Sequence, residues 1–138
     1  NSNAQDNEGF INKFSINIYL HITISTSTIS FAGFPGDLNV PSSSNPVIVY
    51  CDANVNFNLR VYFDNKFTGY ASEHIYVDNA NQSVPHSFEL TASPQILYHN
   101  ENWGENIALN ENYFIDIPPE ITSYGHYYNN IYTDLIGV

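Results

Sequence analysis

Five histidines, fourteen acidic residues and a single cysteine are the groups in this 138-residue chain whose types could do chemistry. Catalysis needs such groups to converge, and metal binding needs them at ligand spacing. His21, His74, His86, His99 and His126 are scattered, with neither an HExxH signature nor a close pair on one strand face. Asp52, Asp64 and Asp78 fall at expected strand ends, where an acidic side chain ordinarily bonds its own backbone. The stretch "DNANQ" lacks the ligand spacing of an EF-hand loop. No nucleophile elbow surrounds any serine. Cys51 sits in a β-rich run and reads as a small buried apolar residue, and being alone it excludes an internal disulfide. The expectation is a protein that is not an enzyme and holds no metal and no cofactor.

A second kind of chemistry is suggested by the aromatics. Tyr98, Trp103, Tyr124, Tyr127, Tyr128 and Tyr132 are interleaved with Asn, Glu and His. Flat rings for stacking and amides for hydroxyls are what sugar-binding loops use, which makes Tyr98, Trp103, Tyr124 and Tyr128 candidate ligand residues. The plainer account is that tyrosines pack the edges of a β-sheet core.

Charge removes other partners. The net charge is −11, and Lys13, Arg60 and Lys66 are the three cations, so nothing replaces the counterions of a phosphate backbone. No run approaches the ~20 consecutive apolar residues of a membrane helix. Nucleic acid and membrane insertion are therefore not expected. The sequence starts without Met or a basic and apolar leader, so a secreted protein would be seen here in its mature form. One glycosylation sequon, Asn81-Gln82-Ser83, carries no weight in a chain so rich in Asn and Ser.

The elements that position these residues are read from alternation. Residues 1–13 are polar and aperiodic, the pattern of a tail. From Phe14 the apolar residues Phe14, Ile16, Ile18, Leu20, Ile22 and Ile24 alternate with Ser15, Asn17, Tyr19, His21 and Thr23, which predicts one long strand over 14–25. Turn signals at Gly33, Pro35, Gly36 and Pro41 follow. "NPVIVYCD" reads as a strand buried on both faces, and "VNFNLRVYF" as a half-buried strand with Val55, Phe57, Leu59, Val61 and Phe63 inward. "EHIYVD", "HSFELTA", "QILYHN" and "NYFIDI" are shorter strands, the last ended by Pro118-Pro119 after a polar loop "NENWGEN". A final strand lies in "GHYYNNIYTDLIGV", with Ile131, Thr133 and Leu135 on one face. No helical stripe appears. The fold class is an all-β antiparallel sandwich or barrel in a single domain over 26–138.

Taken in this order, the segments "NIYLHITISTST", "ISFAGFPGDL", "PVIVYCDANVNFNLRVYF", "HSFELTASPQILYHNENWG", "YFIDIPPEI" and "YGHYYNNIYTDLIGV" resemble the spore-coat-protein-U type of secreted subunit, the group that includes the archaic chaperone–usher pilins of Gram-negative bacteria. The resemblance runs from about residue 14 to the end and rests on pattern, without a short motif. It departs at the first cysteine of that group, whose place is taken by Ser25 to Thr28, leaving Cys51 alone. A missing bridge of this kind removes roughly 2–4 kcal/mol.

The resemblance implies an immunoglobulin-like sandwich that lacks its last strand and is completed by a neighbour's strand. It implies a pilus subunit, secreted through the periplasm to the cell surface, with other copies of itself, a periplasmic chaperone and an outer-membrane usher as partners, serving adhesion or biofilm. The donor strand would be Phe14, Ile16, Ile18, Leu20, Ile22 and Ile24. The acceptor groove would be lined by Phe57, Leu59, Val61, Ile131 and Leu135. Alternation reports a half-buried strand and not whose sheet it joins, so the competing expectation is a free-standing carbohydrate-binding sandwich or tip adhesin with its first strand paired in cis.

Overall fold

The computed structural model describes residues 17–64, 74–79, 87–120 and 129–138. Among them there are nine strands and no helix: β1 Leu20–Ile24, β2 Val40–Pro41, β3 Val47–Ala53, β4 Phe57–Phe63, β5 His74–Asp78, β6 Ser87–Glu89, β7 Gln95–Glu101, β8 Gly104–Asp116 and β9 Ile131–Gly137. They form two antiparallel sheets with one core between them. The larger has the order β1-β3-β8-β5-β6, with β2 also on β8, and the smaller the order β7-β4-β9.

The core follows from phase. Val47, Val49, Cys51 and Ala53 of β3 face Phe57, Leu59, Val61 and Phe63 of β4, joined by Ile75, Val77, Leu97, Leu109, Tyr113 and Ile115. A period of two puts each of these on the inner face. The expectation that β3 is buried on both faces is corrected, since Ile48, Tyr50 and Asp52 are only partly covered. A run of β-branched residues satisfies one buried face as well as two.

β8 is also longer than expected. It begins at Gly104, inside the stretch read as a polar loop, because its first half pairs with β3 through Cys51↔Ile107 and Ala53↔Gly104. Asn106 takes a positive φ of 54° there, and its N–H donates to Asp52 Oδ1 at 2.7 Å.

The opening strand joins the chain's own sheet over its second half. Leu20 to Ile24 pair with Ala53 to Val49 of β3. Ile18 precedes the strand and is exposed, while Phe14, Ile16 and the expected tail lie outside the described residues. The residues expected to stand apart as a 14–25 segment are thus partly built into the body.

Between β1 and β2 the chain makes one tight turn. Asp37 N–H donates to Phe34 O at 3.0 Å, with Pro35 at the second position and Gly36 at φ 87° in the third. This is the residue order of a type II turn, and a side chain at Gly36 would be strained.

Candidate functional site: the corner between two sheet edges

Among the described strands β1, β6, β7 and β9 end the two sheet orders, and β1 and β9 lie beside each other. β1 has β3 as its neighbour, β9 has β4, and the two come within 8 Å between Cα atoms at one corner of the sandwich. Leu20 and Ile22 from β1 and Ile131 and Leu135 from β9 are half-buried there, packed on the core, and Ile24 is exposed. The register Leu59↔Leu135, Val61↔Thr133 and Phe63↔Ile131 sets the inward side chains of β9 beside those of β4 on the same face of the smaller sheet. Phe57, Leu59 and Val61 are fully buried and form the floor, so of the five expected groove residues Ile131 and Leu135 are the ones a visitor can touch. Completing the burial of each half-covered side chain is worth on the order of 1 kcal/mol.

β9 is fastened to the body on both faces. Outside, Arg60 Nε and Nη2 each donate to a carboxylate oxygen of Asp134 at 2.8 Å, and the Tyr62 and Tyr132 rings stack at 5.2 Å. Asp64 accepts from Asn130 Nδ2 at 3.1 Å and from the Tyr132 hydroxyl at 3.2 Å. Inside, the Thr133 hydroxyl donates to Glu111 Oε2 at 2.8 Å across the core.

Glu111 is a carboxyl group 2% exposed, and Tyr113 donates to its Oε1 at 2.7 Å. Burial pushes its pKa up to about 7, against the opposing pull of the two hydroxyl bonds. No reading of the sequence singled it out. The signal was available: Leu109, Glu111, Tyr113 and Ile115 share one phase, and three of the four are apolar or aromatic.

Tyr98 is also a correction. It is buried in the core, and its hydroxyl donates to Asn110 O at 2.8 Å and accepts from Asn110 N–H at 3.1 Å. β5 pairs with β8 only as far as Asp78↔Asn112, so the phenol serves the β8 backbone two residues further on as a strand would. A ring used in this way is not available for stacking on a sugar. Trp103 is exposed between β7 and β8, so the buried Tyr98 does not share a surface with it, and Tyr124 and Tyr128 lie outside the described residues.

The titratable groups are dispersed. His74 Nδ1 meets Glu89 Oε2 at 2.5 Å, and His21 lies against the Tyr19 ring on the outer face of β1. Among the described residues no three His, Cys, Asp or Glu side chains are disposed to hold a metal ion. Cys51 is a buried free thiol, raised to about 12 by burial first and then by Glu111, Asp52 and Glu101. It is a core residue and not a nucleophile.

The corner is thus the feature with unspent binding capacity, and recognition by homology does not add to it. Comparison with protein-family models, curated proteins and solved structures returns no match. The corner holds the kinds of groups that strand addition uses in general: the backbone of β9 at a sheet edge, and apolar side chains at Ile131 and Leu135 that could set register.

Proposed function

We propose that this protein is a structural subunit of a secreted bacterial pilus or fimbria, an immunoglobulin-like sandwich that polymerises by donor-strand exchange and contributes to surface attachment or biofilm. The observation that carries this reading is the corner of β1 and β9, two adjacent sheet edges over a shared apolar row. A further strand can add to β9 there. Since Leu20, Ile22 and Ile24 already serve the chain's own sheet, the donated segment is the one before them. Phe14, Ile16 and Ile18 alternate, and Phe10 falls in the same phase. The nine residues 10–18 at about 3.3 Å each span about 30 Å, enough to cover the seven-residue β9 from end to end.

Addition requires movement. A new strand lies about 4.8 Å from its neighbour, so β1 must draw back from β9 to admit it. The free subunit shields its apolar row by closing the corner, and the incoming strand replaces that closure with a full ladder. A periplasmic chaperone holding the same corner before assembly, and an outer-membrane usher delivering subunits to the surface, are the partners of this reading. The cis pairing of Leu20–Ile24 also favours a second reading, a free-standing sandwich that binds carbohydrate or acts as a tip adhesin.

Light scattering after size exclusion separates the two. The full chain is expected to form a concentration-dependent series of oligomers. A synthetic peptide of residues 10–18 should convert them to one-to-one complexes, with NMR shifts concentrated in β9. A full chain that stays monomeric at millimolar concentration and ignores the peptide would overturn the pilus reading and leave the glycan-binding one to be screened.

A further inference from the structure

The strand registers sort the sandwich into two poles. At the first, Ala53 is level with both Leu20 and Gly104, and Phe57 with both Gly137 and Glu101. At the second, Ile24 is level with Val49, Phe63 with Ile131, and β8 ends at Asp116.

Each pole presents large apolar side chains on a pinned backbone. At the first, the turn after β3 does the pinning. Asn54 N–H donates to Tyr19 O at 3.2 Å, and its side chain accepts from Tyr19 N–H at 2.7 Å and donates to Asn17 O at 2.8 Å. Asn56 accepts the Trp103 N–H on its side chain at 3.1 Å and the Val138 N–H on its backbone at 2.9 Å. Trp103 is nonetheless 67% exposed, and Val138, bonded to the same Asn56, is exposed as well. At the second pole the Phe34–Asp37 turn is held to Ile117 by bonds of 2.9 and 2.8 Å, and it presents Phe34 at 76% and Leu38 at 73% exposure.

The direction of strand exchange says what covers them. Every strand pair described is antiparallel, and β9 runs from the second pole to the first. A donor strand antiparallel to β9 therefore runs from the first pole to the second and leaves the acceptor there. The donor's own β1 starts at its first pole, and Tyr19 alone separates Ile18 from Leu20. There is no linker to hold the two bodies apart.

We infer that the Phe34–Leu38 turn of one subunit seats against the Trp103 and Val138 pole of the next, a second contact between copies of this chain that rests on the strand-exchange reading. It is apolar on both sides, which suits copies that each carry a net charge of −11 and cannot pair through opposite charges.

The test is disulfide capture on the full chain carrying Phe34→Cys and Trp103→Cys together, since Cys51 is buried and the parent chain serves as the blank. Mild oxidation should yield a reducible ladder of covalent multimers, whereas either single variant stops at dimers. In parallel, Phe34→Ser with Leu38→Ser, both at exposed positions, should raise the concentration for half-assembly at least tenfold. No ladder, with the serine variant assembling like the parent, would overturn the pole contact while peptide-sensitive oligomers of the parent kept strand exchange intact. A parent that forms no oligomers at all would overturn both.

Discussion

Glu111 sets a pH dependence that runs opposite to that of most carboxylates. Its folded pKa, about 7, lies above the ordinary glutamate value, so between roughly pH 4.3 and 7 the folded chain binds more protons than the unfolded one. Stability contributed by the protonated acid is then complete below that window and is lost as pH rises through 7. The groups around it, Tyr113, Tyr98 and Cys51, are neutral across the range, and Arg60, the one Lys or Arg among the described residues, is paired with Asp134. Glu111→Gln should leave the melting temperature near pH 4.5 almost unchanged and raise it at pH 8, by an amount equivalent to roughly 3 kcal/mol of relieved charge burial. Thermal melts of both proteins from pH 4 to 9 check this. Tyr98→Phe removes the one hydroxyl that serves both backbone groups of Asn110. The part-buried β8 backbone then loses two hydrogen bonds at that point, which should cost about 1–3 kcal/mol in urea unfolding.

The strands differ in how firmly they are held. β3 and β8 have neighbours on both edges, whereas β1 and β9 each have one. Native-state hydrogen exchange should find the slowest amides in β3, β4 and β8, and opening free energies well below the global value in β1, as an element that must move for strand addition requires. The peptide of residues 10–18 should slow exchange in β9 and leave β7 unaffected. Much of this layering is legible in residue order. The alternation of Phe57, Leu59, Val61 and Phe63, and of Ile131, Thr133 and Leu135, names the inner faces of β4 and β9 directly. Alternation does not name a neighbour, which is why Leu20–Ile24 could be read as a strand without its partner β3 being visible. It also weakens where a polar residue keeps the inward phase, as at Glu111, or where positive φ interrupts the pattern, as at Asn106 in the half of β8 that looked like loop. A tyrosine hydroxyl standing in for a neighbouring strand leaves no periodic trace at all.

As a whole the molecule is an acidic body with apolar poles. Copies carrying a charge of −11 repel one another, and that repulsion is screened within about 10 Å at 0.1 M salt. Assembly should therefore strengthen as sodium chloride rises from 10 to 300 mM, the reverse of a contact built on ion pairs, and light scattering at fixed protein concentration reads the trend directly. In the proposed assembly the corner and the poles would divide the work: backbone pairing and alternate pockets would give the joint its register, and the seated turn its stiffness.

The unpaired cysteine offers a different use of the same architecture. Cys51 lies opposite Ile22, the middle residue of β1, and is fully buried in the core between the sheets. A thiol-specific dye must wait for the sandwich to open at β3 before it can react, so at high dye concentration the rate of labelling equals the rate of that opening. The native chain thus carries a built-in chemical clock for the opening of its core, readable in a stopped-flow cuvette without altering a single residue.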